Sequence, residues 1–290
     1  MPEAKRSLRQ LLTPGAGVLM PGAPNALAAR IIESVGFPVV YLTGAGVANS
    51  YLGIPDLGLT TATEMAAHVQ AFREAVDIPI VADGDTGFGN ALNLHRTIRL
   101  YERAGANAIQ LEDQMFPKRC GHFEDKSVVS KEEMVQKIKA AVDARTDREF
   151  LILARTDARA IEGLDSALER IAAYKEAGAD LLFVEAPQSI EEMQSIPREV
   201  PGAHICNIVF GGKTPMLPRE QLAQMGFAGI LYANAAMQAA MLAMKDILEH
   251  LKTQGSLTGA EKDVLPFNDR QVFVKFAEWT ALEKRYKVPK

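Results

Sequence analysis

Apolar residues recur along the chain in eight short, continuous runs, and stretches with helical spacing separate most of them. The runs do not alternate apolar with polar residues, as a half-exposed strand would, so they favour parallel strands buried on both faces. They predict strands at 17–20, 38–43, 78–82, 108–112, 150–154, 181–185, 204–208 and 229–232.

The segments between these runs place apolar residues every three or four positions, a spacing typical of amphipathic helices. We expect Asn25, Thr63 and Ser130 to be N-caps, and Glu133 to complete a capping box with Ser130. A glycine follows several of the helical stretches, where it ends a helix without a Cβ penalty. The predicted helices lie at 26–35, 63–75, 91–104, 131–144, 166–177 and 219–225.

Repeated β-then-α units predict an α/β protein built as a (β/α)8 TIM-type barrel. A doubly wound sheet is the alternative, but no GxGxxG motif follows the first strand. The length of 290 residues suits one barrel of about 250 residues with an extension. We therefore expect residues 1–290 to form a single barrel domain in which 254–290 are a C-terminal helical tail.

Charge and composition exclude several classes of protein. The 32 basic and 36 acidic residues give a net charge of −4, without the basic stripe that nucleic-acid binding requires. The apolar runs end well short of the roughly 18 residues that a membrane helix needs, so no membrane partner is expected. Pro14 and Pro21 interrupt any secretory signal, and we expect the protein in the cytoplasm.

Acidic residues stand at the ends of several predicted strands. Asp83 and Asp85 follow the third strand, Glu112 ends the fourth, Glu185 ends the sixth, and Asp56 lies in the loop after the second. In a barrel these strand ends share one rim, where converging carboxylates repel each other unless a cation intervenes. Oxygen ligands favour Mg²⁺ or Mn²⁺ over Zn²⁺. The alternative is that the two aspartates only order the glycine-rich turn.

A polar loop after the fourth strand concentrates reactive side chains. It places Lys118, Arg119, Cys120 and His122 within five residues. Cationic neighbours lower the pKa of a thiol, which makes Cys120 a candidate general acid or base. The alternative is an ordinary surface loop, whereas Cys206 lies in an apolar run and is expected to be a buried hydrophobic residue.

Arg155 ends the fifth strand, where its guanidinium suits bidentate binding of a carboxylate or phosphonate. It could instead neutralise the acids as a structural ion pair. Tyr41, Thr43 and Gly44 at the end of the second strand, and Asn207 after the seventh, are candidate donors to the same anion.

Several stretches resemble the isocitrate lyase and phosphoenolpyruvate mutase superfamily, and within it the short bacterial lyases of the 2-methylisocitrate and 2,3-dimethylmalate type. They include YLTGAGVANSYLGIPDLGL, VADGDTGFGN, IQLEDQMFPKRCGH, ILARTDARAIEGLDSALERI and GGKTP. The KRCGH sequence is typical of the carbon–carbon lyase branch.

The resemblance implies a Mg²⁺-dependent carbon–carbon lyase that cleaves a 2-hydroxy di- or tricarboxylate into pyruvate and a carboxylic acid. Its metal-site acids are Asp56, Asp83, Asp85 and Glu112. Its candidate catalytic residues are Tyr41, Lys118, Cys120, His122 and Arg155, with Cys120 as the proton donor on a gating loop. Its candidate substrate contacts are Thr43, Gly44, Ala45, Asp83, Gly121, His122, Arg155, Glu185 and Asn207. The general base stays open between Tyr41 and a metal-bound water.

The chain departs from the lyase pattern where the pocket would face the leaving fragment. Many of these lyases have a glutamate after the strand-seven asparagine and a proline and serine after the strand-eight tyrosine, which this chain lacks. The divergent positions are Phe210, Ala233, Asn234, Ala235 and Gln238. The loss of polar groups suggests a substrate smaller or less charged than a tricarboxylate.

Three other functions stay open. Two are oxaloacetate decarboxylation or hydrolysis and phosphonate (P–C) chemistry of the same superfamily, and the third is a non-catalytic barrel that binds a dicarboxylate. The resemblance also implies a homotetramer in which paired subunits exchange a C-terminal helix. The apolar helix at 235–251 and the stripe of Val272, Phe276 and Trp279 fit such an exchange, although both could pack internally.

Overall fold

The structure is a computed structural model that describes residues 6–118 and 126–288. Within them, eight parallel strands pair in sequence order and the last pairs with the first, so the sheet closes into a barrel. The strands are β1 (Val18–Ala23), β2 (Val40–Leu42), β3 (Ile80–Asp83), β4 (Ala108–Glu112), β5 (Leu151–Thr156), β6 (Leu181–Val184), β7 (His204–Asn207) and β8 (Phe227–Tyr232). The predicted (β/α)8 barrel is confirmed, and the doubly wound alternative is wrong.

Helices surround the barrel and connect its strands. They are α1 (Leu8–Leu11), α2 (Ala26–Val35), α3 (Gly44–Val47), α4 (Ala62–Ala75), α5 (Ala91–Ala104), α6 (Lys131–Ala144), α7 (Arg159–Glu162), α8 (Leu164–Glu176), α9 (Ile190–Glu199), α10 (Arg219–Gln224), α11 (Ala235–Gln254), α12 (Phe267–Phe273) and α13 (Phe276–Tyr286). None of these described helices combines the length and the apolar character that crossing a bilayer requires.

The helix ends show how local sequence sets the elements. Asn25 and Ser130 are N-caps, as predicted. The predicted cap at Thr63 is wrong, because α4 begins one residue earlier and Thr61 forms the capping box with Glu64. Helix α9 was not predicted, since Pro197 interrupts its sequence pattern; here the proline lies near the end of the helix.

Strand side chains divide between two apolar layers, which is why the strands read as continuous apolar runs. One layer fills the barrel interior and the other lies between the sheet and the helices. The interior layer includes Met20, Tyr41, Val81, Leu153 and Phe183. The outer layer includes the strand residues Leu42, Ile80 and Ile109 and, from the helices, Phe72 and Tyr101.

The C-terminal helices carry apolar side chains that the single chain does not bury. On α11, Met241 is 53% exposed and Leu248 is 61% exposed. In the tail, Val272, Phe276 and Trp279 are also exposed. Large contiguous apolar surfaces of this kind mark interaction sites in soluble proteins.

Candidate active site

The loop after β3 is fixed against β4 by backbone hydrogen bonds. Gly84 N donates to Gln110 O over 2.9 Å, and Glu112 N donates to Asp85 O over 2.9 Å. Asp85 N in turn donates to Asp83 Oδ1 over 3.2 Å. Asp85 has a φ of 47°, a left-handed conformation that aspartate tolerates better than most residues. These contacts hold three acidic side chains at the C-terminal rim of the barrel.

The loop after β2 lies beside these acids. Gly44 N donates to Asp83 Oδ2 over 3.2 Å, and a Cβ at Gly44 would lie 2.9 Å from the same oxygen, so the close approach requires glycine. The Thr43 hydroxyl donates to Asn234 Oδ1 over 3.1 Å. Tyr41 is buried, and its burial and the Asp83 carboxylate raise the pKa of the Tyr41 phenol well above its usual range. The phenol is therefore protonated.

Lys118 lies among the acids. Its ammonium contacts Asp56 Oδ1 and lies 2.7 Å from Asp85 Oδ1, and the residue is only 4% exposed. Burial raises the pKa of Asp85 to about 6, although Lys118 opposes this shift. Burial also raises the pKa of Glu112 well above its usual range. Among the residues that the structure describes, the rim thus holds more carboxyl groups than cations.

Arg155 lies on β5 near its C-terminal end and is surrounded by carboxylates. Its guanidinium binds Asp157 through two hydrogen bonds of 2.9 and 3.0 Å. Glu112 lies 3.3 Å away and Glu185 3.4 Å away, and the ring of Phe183 lies beneath the guanidinium. Burial opposes the positive charge, but Asp157 and its neighbours outweigh it and raise the pKa of Arg155 well above its usual range.

A buried hydrogen-bond network holds Asp157, which in turn binds Arg155. Asp113 accepts hydrogen bonds from the Thr156 hydroxyl at 2.7 Å, the Asp157 backbone N–H at 2.9 Å and the Tyr174 hydroxyl at 2.8 Å. Lys126 adds an ion pair to Asp157 at 2.8 Å. The sequence-based predictions missed Asp157 and its support. The one available signal was its place two residues after Arg155, at the end of the same strand.

A cavity of about 240 Å³ opens at this rim. Of the predicted site residues, it brings together Tyr41, Thr43, Ala45, Asp56, Asp83, Glu112, Lys118, Arg155, Glu185 and Asn207. Gly44 and Asp85 do not line it. Asp85 faces an adjoining space of about 810 Å³, which Lys118 also lines. The predicted Cys120, Gly121 and His122 lie outside the described residues.

The donor set fits a hydrated divalent cation better than a directly ligated one. Among residues 6–118 and 126–288, no three carboxylate, histidine or cysteine side chains form a direct metal-binding group. Buried acceptors nevertheless face the cavity, because Gln110 Oε1, Glu112 Oε1 and Asn207 Oδ1 have no hydrogen-bond partner within those ranges. Mg²⁺ keeps several of its water molecules and is bound through few carboxylates, so such acceptors suit its hydration shell.

Eight further residues that line the cavity form an uncharged group, which we call the uncharged lining. It consists of apolar side chains, glycines and two amides, and Phe210 at the opening is 78% exposed. The residues are Val209, Phe210, Gly211, Gly212, Leu231, Ala233, Asn234 and Gln238. None of these residues is charged.

Residues 8–252 match the family described as phosphoenolpyruvate phosphomutase. The chain belongs to this family, which is part of the PEP mutase/isocitrate lyase superfamily. The predicted membership is therefore confirmed.

Among curated proteins, the chain is 48% identical over 262 residues to a 2,3-dimethylmalate lyase of Eubacterium barkeri, covering 90% of this chain and 91% of that protein. It is 42% identical over 258 residues to a 2-methylisocitrate lyase of Aeropyrum pernix, covering 89% and 82%. These relatives confirm the predicted enzyme class, a carbon–carbon lyase.

Solved structures extend the likeness to other chemistries. An oxaloacetate acetylhydrolase bound to the inhibitor 3,3-difluorooxalacetate superimposes with a TM-score of 0.90 at 30% identity, covering 97% of this chain and 96% of that one. A phosphonopyruvate hydrolase complexed with oxalate and Mg²⁺ gives a TM-score of 0.85 at 29% identity, covering 97% and 99%. Carbon–carbon and carbon–phosphorus chemistries thus share this barrel.

Proposed function

We propose that this protein cleaves a branched 2-hydroxy dicarboxylate of the 2,3-dimethylmalate type into pyruvate and a carboxylic acid. The observation that carries the proposal is the cavity at the barrel rim. A buried arginine, a buried tyrosine and a group of acids line it together with uncharged residues that are mostly apolar. The likeness to a 2,3-dimethylmalate lyase at 48% identity supports the choice of substrate.

The acids Asp56, Asp83, Asp85 and Glu112 would hold Mg²⁺, or Mn²⁺ in its place, largely through water. When bound, the cation supplies Lewis-acid polarisation of the substrate hydroxyl and carboxylate oxygens. The surplus of carboxyl groups at the rim and the unpaired acceptor Glu112 Oε1 support this assignment.

The protein's own residues then have separate tasks. Arg155 binds the carboxylate of the half that becomes pyruvate, and Asp157 and Glu185 keep its guanidinium in place. The Tyr41 phenol donates a hydrogen bond to a substrate oxygen while the surrounding acids keep it protonated. The substrate hydroxyl must also lose its proton before the carbon–carbon bond breaks, and Tyr41 would accept it only if a bound cation offset the surrounding acids.

Cleavage of the carbon–carbon bond leaves an enediolate on the departing acid, and a proton donor must quench it. We assign this role to Cys120, and we propose that Gly121 and His122, the next two residues of the sequence, contact the substrate. The residues that flank this segment support the assignment, since Lys118 contacts Asp85 and Lys126 contacts Asp157. Both contacts lie at the rim where the reaction would take place.

The uncharged lining of the cavity indicates which acid departs. Phe210 and Ala233 offer apolar contact, and Asn234 and Gln238 offer only neutral polar groups. A methyl-bearing monocarboxylate fits this uncharged lining and the cavity of about 240 Å³ better than a fragment with a second carboxylate, because the second charge would be buried without a partner. The substrate would therefore be a dicarboxylate rather than a tricarboxylate.

Phosphonate chemistry is the second candidate. Asn234 follows an alanine, as in the phosphonate branch, and it accepts a hydrogen bond from Thr43 inside the cavity. A phosphonopyruvate hydrolase is also among the similar structures. Asn234 is the specific residue that favours this function over oxaloacetate hydrolysis.

The test is a mass-spectrometric screen of 2-hydroxy diacids, 2-hydroxy triacids, oxaloacetate and phosphonopyruvate, each with Mg²⁺ and with a chelator. We expect Mg²⁺-dependent pyruvate from 2,3-dimethylmalate and little turnover of the others. Turnover of phosphonopyruvate alone would favour the second candidate. Tight binding without turnover across the whole panel would indicate a non-catalytic barrel.

The exposed apolar face of α11 and the tail suggests the assembly. We propose one barrel domain for the chain, and a homotetramer in which residues 254–290 pack on a partner subunit. Burial of Leu248, Val272 and Trp279 in that contact would remove a large apolar area from water.

A further inference from the structure

Lys118 occupies a position that the proposed cation also requires. Its ammonium contacts Asp56 and lies 2.7 Å from Asp85 Oδ1, and both of these acids belong to the proposed metal site. Lys118 is 4% exposed and Asp85 is 6% exposed, so the ion pair is shielded from solvent. Burial opposes the charge of Lys118, but the nearby carboxylates outweigh it and raise the pKa of its ammonium well above the usual range.

An ammonium and a divalent cation cannot share the gap between two carboxylates. A hydrated Mg²⁺ needs the same oxygens, and two positive charges at that separation repel strongly in a poorly solvated site. Lys118 also lines the cavity that would hold the substrate. If the flexible side chain of Lys118 rotates away from Asp85, its ammonium can therefore lie beside the substrate carboxylate.

We propose that Lys118 is a resident counter-ion, which pairs with Asp56 and Asp85 in the metal-free protein and leaves Asp85 when a divalent cation binds. The released ammonium then pairs with a carboxylate of the substrate. Metal binding and substrate binding are thereby coupled in a fixed order, with the metal first. This inference rests on the proposed function, because it presumes the metal site named there.

Lys126 follows residues 119–125 in the sequence, as Lys118 precedes them, and it provides a matched control. It is a buried lysine that lies 2.8 Å from Asp157, an acid that contacts Arg155 and is not one of the proposed metal acids. Removing the charge of Lys126 changes the net charge of the rim by the same amount. It does not free an oxygen of the metal site.

The experiment measures free Mn²⁺ by electron paramagnetic resonance while Mn²⁺ is titrated into wild type, Lys118→Met and Lys126→Met without substrate. We expect Lys118→Met to lower the Kd for Mn²⁺ on the order of tenfold, within the usual range for coupled binding equilibria. Lys126→Met should change that Kd by less than about twofold. An unchanged or higher Kd in Lys118→Met would overturn the inference, and so would equal gains in both variants.

A measurement on the wild-type protein tests the inference even if Lys118→Met fails to fold. Reductive methylation of Lys118, read by peptide mass spectrometry, should be slow in the metal-free protein and at least about fivefold faster with Mn²⁺. Equal or slower modification with Mn²⁺ contradicts the inference. If the wild type binds Mn²⁺ but shows neither effect, only this inference fails. If it binds no Mn²⁺, the metal part of the proposed function fails as well.

Discussion

Two groups of buried charged residues at the barrel rim differ in how completely their charges are compensated. We name them the cation side, consisting of Asp56, Asp83, Asp85 and Lys118, and the arginine side, consisting of Asp113, Arg155, Asp157 and Tyr174. On the arginine side, two hydrogen bonds join Arg155 to Asp157, and Asp113 accepts three more from neighbouring groups. On the cation side, one flexible lysine among the described residues joins Asp56 and Asp85, whose combined charge it does not balance.

One site can therefore combine a rigid part with a part that exchanges its cation. A fully bonded buried network fixes geometry, and removing any one member leaves the others unsatisfied at a high cost. A partly compensated acid pair leaves room for an incoming cation. The arginine side should therefore govern stability and substrate orientation together, whereas the cation side should govern metal binding and turnover.

The largest effect is expected at Arg155. Arg155→Gln should lower kcat/KM by about 10²- to 10³-fold, because it removes a charged contact to substrate. It should also lower the free energy of unfolding by about 3–5 kcal/mol, since Glu112, Asp157 and Glu185 all lose the guanidinium that they contact. Steady-state kinetics and urea unfolding measure the two changes.

Arg159→Gln is the control for that variant. Arg159 pairs with Glu192 and does not line the cavity. Both kcat/KM and stability should change far less in it. If Arg155→Gln loses activity but keeps full stability, Arg155 is not the centre of a structural network.

Cys120→Ser should reduce catalysis without reducing stability. Loss of a general acid should lower kcat on the order of 10²-fold, whereas the free energy of unfolding and the Kd for Mn²⁺ should stay the same. Cys206→Ala is the matched control, because that thiol is buried in the apolar layer beside β7 and β8. Its kcat should remain within about twofold of wild type. A kcat for Cys120→Ser equal to that of wild type would exclude Cys120 as the proton donor.

Tyr174→Phe should produce the smallest effect. It removes one hydrogen bond to the buried Asp113 and should lower the free energy of unfolding by about 1–3 kcal/mol. Because Tyr174 does not line the cavity, kcat should change by less than about threefold. Urea unfolding and initial rates report both, with the exposed Tyr51→Phe as the control. A large loss of kcat without a loss of stability would show that the two sides are not separate.

The strands could be predicted well from the sequence, because a strand that is buried on both faces consists of a continuous run of apolar residues. Strand β4 has both predicted ends, and β7 differs by one residue. Strand β1 extends through Pro21 and Gly22 to Ala23, beyond its predicted end, because pairing with β2 and β8 decides its length. Local apolar pattern carries no information about that pairing.

The acids at the strand ends could be predicted for a similar reason, since parallel strands bring their carboxyl ends to one rim. The pairing between those acids and their cations could not. Asp157 turns back on Arg155, and Lys118 reaches Asp85 from a loop after a different strand. Both contacts depend on side-chain direction and loop path, which residue type and spacing do not specify.

Product analysis in D₂O follows both the carbon–carbon cleavage and the protonation of the departing acid. With 2,3-dimethylmalate and Mg²⁺, the account predicts equal amounts of pyruvate and propionate, with one deuterium on the propionate carbon that lost its bond to the pyruvate half. That deuterium would mark the enediolate quenched by an exchangeable proton. No pyruvate from this substrate, or propionate formed without deuterium, would contradict the account.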